Sequence, residues 1–393
     1  MRNILCISTA NYYPFPTRKQ NIMNRLADCE IIYAEPPVTL IAPLKDPKAR
    51  ERLSAYKKDV VMPKEHLSVY ASPPVLPFFN KKRYINEINQ KKLAKYYASL
   101  CRRHGFGKDF TVWCYSPTSA DVIAPLAKEL GIEPASLWKN VVYDCVDRHS
   151  AYPGMIDPEV VDTMEEDLAR SAGCVFATAK GLYERLKAFN PNTHLIENGA
   201  NYELFSSVLG KTKKTDKPVF GFVGMLQECI DYDCLELLAK SFPEAILRFA
   251  GRSLPGVDLS RLEKYPNVEF LGLRPQTELP DIIADFDVCL NVFADNELSR
   301  DVSPLKFYEY LATGKPVVST AVPLQVNDFR DCIYISKTSA EFLEKCREAL
   351  NEPADDPKKQ LRLEAAKKCS WEARVQQMKN ILKWNTAEVS DER

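Results

Sequence analysis

The chain is poor in the residues and patterns on which several classes of protein depend. It has only four histidines among 393 residues, and no serine or cysteine lies in a nucleophile-elbow motif that could work with one of them, which argues against a hydrolase. Its twelve cysteines are scattered, without a Cys-x-x-Cys pair or a Cys/His cluster, which indicates reduced, buried thiols, a cytoplasmic location and no metal site. The formal net charge of zero argues against general nucleic-acid binding.

Long hydrophobic runs are also missing. None approaches the length of a membrane-spanning helix, and the first eight residues are typical of a strand rather than of a signal peptide. What the chain does have is length and apolar content. With 393 residues, 45% of them hydrophobic, it is long enough for two domains with separate cores.

Short apolar segments alternate with longer amphipathic ones twice over, which predicts an α/β protein with two Rossmann-like doubly wound domains. The strands predicted for the first domain are 4–8, 31–34, 67–71, 111–115, 141–144, 174–178 and 193–196. Those predicted for the second are 219–223, 245–250, 268–271, 288–292, 316–319 and 332–335. The domain limits are 1–205 and 218–370, with a polar linker at 206–217 and a C-terminal helix in 371–393 that could cross back to the first domain.

The most informative segment is 301–320, which predicts a loop, a helix and a buried strand. Ser303 suits the N-cap, Pro304 the first helical position, and Gly314 the end of the helix. The start of such a helix attracts anions, because its free N–H groups and dipole are positive there. Many capped helices in α/β proteins bind nothing, so this geometry alone leaves the function open.

Two side chains on the same helix add chemistry to that anion site. Lys306 places a full positive charge in the first turn, and Glu309 follows three residues later on the same face. A cation suits a phosphate, and a carboxylate can accept hydrogen bonds from sugar hydroxyls beside it. The pair therefore points to a nucleotide or a nucleotide sugar.

The segment resembles the signature of family 4 (group 1) glycosyltransferases, in which two carboxylates flank seven residues before a Gly-x-Pro-Val-Val run. The resemblance implies that Glu309 holds the donor ribose. Asp301 stands where the family usually has glutamate, which shortens the reach to the donor sugar and makes Glu297 an alternative. Three more segments are similar in the right order, at 195–205, 219–224 and 268–275. The implied fold is GT-B, two Rossmann-like domains facing across a cleft.

By this resemblance, the donor site also includes residues at the ends of the strands of the second domain. The expected donor-binding residues are Gly224, Arg252, Leu273, Arg274, Ser303, Pro304, Leu305, Lys306 and Glu309. Gly221 could be either a donor contact or a packing glycine. The family commonly has an arginine and a lysine after the first strand of this domain, yet 225–230 contains neither. Either Arg252 and Lys306 neutralise the diphosphate, or the donor binds differently, or catalysis is impaired.

The first domain offers polar residues after two of its predicted strands. Asp144, Asp147 and His149 lie where the family often has a histidine that reaches the donor sugar, and Asp147 is preferred here. A surface ion pair between Asp147 and Arg148 is the alternative. Lys19 and Gln20, after the first strand, are expected on the acceptor side with His149, although basic residues in a first helical turn are often merely solvated. The predicted catalytic residues are Asp147, Asp301 and Lys306.

Residues 80–108 show the strongest charge asymmetry of the chain, with nine lysines and arginines against Glu87 and with apolar residues at helical spacing. Such a helix could lie on an anionic bilayer as a peripheral membrane contact. An ordinary helix whose apolar stripe faces the core would show the same pattern.

Together these features predict a glycosyltransferase that moves a sugar from a nucleotide-sugar donor, preferably a UDP-sugar, to a saccharide or lipid-linked glycan acceptor. The resemblance implies a retaining, metal-independent reaction without a cofactor, in bacterial surface polysaccharide synthesis at the inner face of the membrane. Nucleic acid is not an expected partner. Two alternatives remain open: a nucleotide-sugar epimerase of related architecture, and a non-catalytic GT-B binding subunit.

Overall fold

A computed structural model describes residues 1–44, 47–55, 60–152 and 154–384. The chain divides into two units, of which the first comprises Met1–Ile196 with the chain from Lys379 onward and the second comprises Glu197–Met378. Each unit contains one mainly parallel sheet with helices in the connections. The predicted α/β class with two Rossmann-like units is confirmed.

The first unit is built on an eight-stranded sheet. Its strands are β1 (Arg2–Ile7), β2 (Cys29–Ala34), β3 (Val61–Lys64), β4 (Leu67–Tyr70), β5 (Thr111–Cys114), β6 (Val141–Cys145), β7 (Cys174–Ala177) and β8 (Thr193–Leu195). Their order is β3-β4-β2-β1-β5-β6-β7-β8, and the pairing is parallel except for the edge pair β3 and β4. Its helices are α1 (Arg18–Met23), α2 (Pro47–Ala55), α3 (Arg83–Arg103), α4 (Ile123–Leu130), α5 (Pro134–Trp138), α6 (Pro158–Ser171) and α7 (Lys180–Lys187).

The second unit has a six-stranded parallel sheet. Its strands are β9 (Val219–Val223), β10 (Ile246–Ala250), β11 (Val268–Phe270), β12 (Val288–Asn291), β13 (Val317–Thr320) and β14 (Tyr334–Ser336), in the order β11-β10-β9-β12-β13-β14. Its helices are α8 (Tyr202–Ser206), α9 (Tyr232–Ser241), α10 (Ser260–Glu263), α11 (Leu279–Ala284), α12 (Glu297–Arg300), α13 (Leu305–Thr313), α14 (Ser339–Leu350) and α15 (Pro357–Lys368). The last helix, α16 (Trp371–Ile381), begins in this unit, and its residues from Lys379 belong to the first unit.

Both sheets reverse their strand order at the first strand of the unit. β1 lies between β2 and β5, and β9 lies between β10 and β12. In open α/β sheets the carboxyl ends of the strands on either side of such a reversal form the crevice where ligands bind. The strands themselves are buried on both faces, as Ile4, Leu5 and Cys6 of β1 illustrate.

The chain passes from the first unit to the second between Ile196 and Glu197. The segment 206–217, predicted as a linker, lies within the second unit. There Lys211 pairs with Asp281 at 2.7 Å and the backbone N–H of Lys214 donates to Asp285 at 2.7 Å. The polar composition of this segment therefore serves ion pairs on the surface of the second sheet unit.

Helix α3 decides between the two interpretations of its basic, amphipathic pattern. Its apolar stripe is buried in the core of the first unit, with Leu93, Tyr97 and Leu100 almost fully covered. The stripe therefore faces the core, whereas Lys91 and Lys95 are on the exposed face. No helix among the described residues has the length and apolar content that crossing a bilayer requires. All twelve cysteines are buried with free thiols.

Candidate functional site

The carboxyl edge of the second sheet begins with three turns that are bound to one another. Gly224, after β9, donates its N–H to Ala250 at 2.9 Å, and Gly251, after β10, donates to Gly272 at 2.9 Å. A Cβ on Gly251 would lie 1.8 Å from the carbonyl oxygen of Gly224, so only glycine fits. Gly224 has φ +129°, a conformation that favours glycine, and it is partly exposed.

Lys306 is the cation next to these turns. Its Nζ lies 3.6 Å from the centroid of the Phe222 ring, a close cation–π contact, and 3.4 Å from where a Cβ on Gly224 would be. Burial lowers the pKa of Lys306 to about 7, because the ammonium loses hydration that the nearby Cys229 thiol and Glu309 carboxyl only partly replace. No carboxylate of the described residues lies within ion-pair distance of its Nζ. An incoming phosphate would supply the missing negative charge.

Glu309 is buried one turn further along α13. Its Oε1 accepts a hydrogen bond of 3.0 Å from Gln276 Nε2. Burial raises the pKa of Glu309 to about 7, an effect that the Gln276 hydrogen bond and the charge of Lys306 partly offset. Sequence reasoning missed Gln276, although its position just after the β11 loop was a usable signal. Gln276 fixes the direction in which the second Glu309 oxygen points.

The start of α13 lies one residue later than predicted. Pro304 occupies the N-cap position, Leu305 is the first helical residue, and Gly314, with φ +69°, ends the helix. The prediction that Ser303 caps this helix is wrong. Its Oγ instead accepts from the backbone N–H of Asn198 at 3.0 Å, so Ser303 anchors the turn before the helix.

The remaining donor-side candidates after β10 and β11 are more exposed to solvent than Lys306 and Glu309. Arg252 follows β10 and is exposed, with a guanidinium nitrogen 4.0 Å from the sulfur of Met225. Arg274 donates its Nε to the carbonyl oxygen of Leu271 at 3.1 Å, and Leu273 beside it is half exposed. These three side chains are therefore more exposed than Lys306 and Glu309.

Two further site candidates, Asp301 and Gly221, also lie in the second unit. Asp301 is half-buried directly after α12, and the side chain of Glu297, its alternative, lies outside the described residues. Gly221 has a structural reason to be glycine, because a Cβ there would lie 2.1 Å from the ring of Phe286. Gly221 is thus a packing residue inside β9.

The carboxyl edge of the first sheet carries a separate polar cluster. Arg18, in the first turn of α1, forms a buried ion pair with Asp144 at 3.0 Å. The indole of Trp113 also donates to Asp144 at 3.4 Å. Asp144 therefore serves the interior, which leaves Asp147 and His149 as the candidates that face the edge.

Tyr115, at the end of β5, brings two of the predicted residues together. The Nζ of Lys19 lies 5.2 Å from its ring centroid, and Nε2 of His149 lies 3.1 Å from its carbonyl oxygen. Burial lowers the pKa of Lys19, which the charges of Asp147 and Asp144 counteract. The expectation that basic residues in this turn are merely solvated is wrong, since Lys19 is 8% exposed.

Gln20 has a local structural role. Its Oε1 accepts from the backbone N–H of Thr17 at 2.8 Å, and its Nε2 donates to the carbonyl oxygen of Asn11 at 2.7 Å. Both ends of the amide thus hold the loop that precedes α1.

The protonation of His149 also depends on its surroundings. Burial lowers the pKa of His149, so its imidazole is favoured in the neutral form near pH 7.

Comparison with known proteins supplies the class. Residues 217–352 match the family model for glycosyl transferases group 1. A curated relative, the putative teichuronic acid biosynthesis glycosyltransferase TuaH of Bacillus subtilis (strain 168), is 24% identical over 262 residues, which cover 61% of this chain and 66% of the length of that relative.

Solved structures match over nearly the whole chain. Sucrose-phosphate synthase from Thermosynechococcus elongatus aligns with a TM-score of 0.70 and 16% identity, covering 98% of this chain and 99% of that one. Anabaena Alr3699/HepE in complex with UDP-glucose aligns with a TM-score of 0.66 and 15% identity, covering 98% and 100%. The class predicted from the sequence is confirmed: the chain is a glycosyltransferase of the GT-B fold, and residues 217–352 of its second unit match the glycosyl transferases group 1 model.

Proposed function

We propose that the protein transfers a sugar from a UDP-sugar to a saccharide or lipid-linked glycan acceptor in bacterial surface polysaccharide synthesis. Two comparisons support these finer points. The relative in Bacillus subtilis is named for teichuronic acid biosynthesis, and a structural neighbour was solved with UDP-glucose. No cofactor or metal ion is part of the proposal.

The observation that carries the proposal is the corner formed by Gly224, Lys306 and Glu309. A partly exposed glycine backbone beside a lysine that has no ion-pair partner among the described residues suits a diphosphate. The buried carboxyl of Glu309, oriented by Gln276, suits the hydroxyls of a ribose one turn away. Leu273 and Arg274 are proposed to contact the nucleobase, and Arg252 the outer phosphate.

The proposed reaction is retaining transfer with electrostatic stabilisation of the leaving group. The bond from the anomeric carbon to the diphosphate oxygen breaks, the acceptor hydroxyl attacks from the same face, and its proton passes to the diphosphate. Negative charge grows on the departing diphosphate, so Lys306 and the amino end of α13, with Ser303, Pro304 and Leu305, have the largest effect there. Asp301 is proposed to contact the donor sugar.

In the first unit, Asp147 is the proposed catalytic partner, with His149 and Lys19 as acceptor contacts. A saccharide hydroxyl needs hydrogen-bond partners of both kinds, which an acid, a neutral imidazole and an ammonium provide. Gln20 is proposed to act through the loop that it holds. The proposed location is the cytoplasmic face of the membrane, with the first unit toward the lipid.

A thermal-shift screen with UDP, GDP, ADP and dTDP tests the donor, because a ligand that binds the folded state raises the melting temperature. We expect UDP to give the largest shift, and the Glu309→Ala variant to lose it while Glu263→Ala, an exposed acid on α10, keeps it. A larger shift with another nucleotide would overturn the choice of UDP.

An acceptor-dependent release of UDP from UDP-sugar distinguishes transfer from the alternatives. UDP release that requires acceptor excludes an epimerase, because an epimerase acts on the nucleotide sugar without an acceptor. Nucleotide binding without turnover on any acceptor extract would favour a non-catalytic binding subunit. Activity in the presence of EDTA tests the proposed metal independence, and its loss would contradict that point.

A further inference from the structure

Large apolar side chains are exposed mainly in the first unit, and many of them lie on one set of loops. These loops follow β1 (8–17), β2 (35–44) and β4 (71–82), and they continue into the first half of α3 (83–95). We call this set the loop platform. Its exposed apolar residues are Tyr13, Phe15, Leu40, Leu44, Leu76, Phe78, Tyr84 and Ile88.

Sheet order and hydrogen bonds make the platform continuous. β4, β2 and β1 are neighbouring parallel strands, so the loops that follow them leave the same edge of the sheet. The N–H of Tyr12 donates to Glu35 Oε1 at 2.8 Å, which joins the first loop to the second. The N–H of Leu40 donates to the carbonyl oxygen of Val75 at 2.9 Å, which joins the second to the third.

Helix α3 is tied to the same platform. The side chain of Asn89 makes two hydrogen bonds with the backbone of Leu76, at 2.8 Å and 3.0 Å. The exposed face of the helix then continues from Tyr84 and Ile88 to Lys91 and Lys95, because residues three and four apart share a helix face. On this face of the helix, an exposed aromatic and an exposed aliphatic side chain are thus followed by two lysines.

We infer that the loop platform is a membrane-binding surface, whose apolar tips enter the headgroup region of an anionic bilayer while the lysines of α3 contact lipid phosphates. Monomeric proteins rarely expose large apolar patches without a binding role. The adjoining charge is basic, with Glu87 as the acid within the helix segment, and this sign favours anionic lipid. The inference extends the proposed function, on which it rests only for the identity of the acceptor as lipid-linked.

This surface differs from the membrane contact that the sequence pattern suggested. The apolar stripe of α3 is buried in the core, so the helix itself does not lie in the bilayer. The apolar contribution comes instead from the loops beside it, and α3 supplies the charge. Two kinds of variant separate these contributions.

Vesicle sedimentation without any nucleotide tests the inference independently of the donor site. We expect the protein to sediment with vesicles containing phosphatidylglycerol and less with pure phosphatidylcholine. The Lys91→Glu, Lys95→Glu double variant should weaken binding to anionic vesicles on the order of twentyfold. The Leu40→Ser, Ile88→Ser double variant should weaken binding to both vesicle types at least about tenfold.

Matched variants in the second unit serve as controls. Lys240→Glu with Lys359→Glu, and Leu324→Ser with Leu361→Ser, change exposed residues of the same kinds and should leave sedimentation unchanged. Retention of the UDP thermal shift shows that each variant is folded. Failure of the wild-type protein to bind anionic vesicles at low salt would overturn the inference, as would equal binding by the platform variants. A protein cross-linked to Phe78 in place of lipid would also contradict it.

Discussion

Each unit places a lysine in the first turn of a helix at the carboxyl edge of its sheet, and the two lysines have different surroundings. Lys19 has two aspartates whose charges counteract its loss of hydration. Lys306 lies on the Phe222 ring, and its acidic neighbours are a thiol and a carboxyl with a raised pKa. One cation is balanced within the protein, whereas the other is not.

The different surroundings of the two lysines matter because residues 225–230, after β9, lack the arginine and lysine that the resemblance implies there. Lys306 is a partly buried cation beside Gly224. A cation that lacks an internal partner gains most from a bound phosphate. The predictions below test this contrast, from the largest expected effect to the smallest.

Asp144 is expected to have the largest effect on the stability of the protein. An Asp144→Ala variant removes the partner of the buried Arg18 guanidinium and should lower the free energy of unfolding by about 3–5 kcal/mol. Glu184→Ala, at an exposed acid on α7 of the same unit, should change it by less than about 0.5 kcal/mol. Urea denaturation measures both values. Equal losses would contradict the structural role assigned to Asp144.

The two lysines should differ in their effect on nucleotide affinity. Lys306→Met removes the charge next to Gly224 and should weaken UDP binding about 10–100-fold, the value of a hydrogen bond to a charged group. Lys19→Met should leave UDP affinity unchanged, because Lys19 belongs to the other unit. Isothermal titration calorimetry gives both constants. A Lys306→Met protein with wild-type affinity would refute the phosphate contact.

The low pKa of Lys306 predicts a pH dependence of binding. Above its free-state pKa of about 7 the amine is mainly neutral, and a bound phosphate favours the charged form, so binding takes up a proton. UDP affinity should therefore fall by up to about tenfold per pH unit between pH 7 and 9. Lys306→Arg, which stays charged, should show no such slope. Calorimetry at pH 8 in buffers of different ionisation enthalpy detects the proton directly.

The smallest expected effect concerns Gln276. Gln276→Ala removes the hydrogen bond to Glu309 and should weaken UDP binding by less than about tenfold. If this hydrogen bond orients the carboxyl toward the ribose, as proposed, the loss should be smaller for 2′-deoxy-UDP than for UDP. Thr277→Ala is the neighbouring control. An equal loss for both nucleotides would place the interaction elsewhere.

The sequence indicates most of the fold, because both sheets consist of buried apolar strands whose pattern is local. All thirteen predicted strands are present within a few residues of their expected limits. β3 was missed because it is a short edge strand that contains Pro63 and is mostly exposed. The sequence pattern of α3 could not show what its apolar stripe contacts, because a protein core and a bilayer both favour apolar residues at helical spacing.

The site was predictable where chemistry is local to one helix and not where it depends on distant contacts. Lys306 and Glu309 share one turn, so their spacing alone predicts that their side chains lie close together. Ser303 was assigned a cap because its competing partner, Asn198, is 105 residues away in the chain. In the same way, the ring of Phe222 under Lys306 follows from packing between a strand and a helix that are far apart in sequence.

The contact between Gly224 and Gly251 has a consequence for motion. Their backbones touch without room for a single added carbon, and each turn is hydrogen-bonded to its neighbouring strand or turn. Neither turn can shift by itself, so any rearrangement when a nucleotide arrives must displace both together as one rigid rim. Selection among different donors would then depend on exposed side chains such as Arg252 more than on a change within the rim.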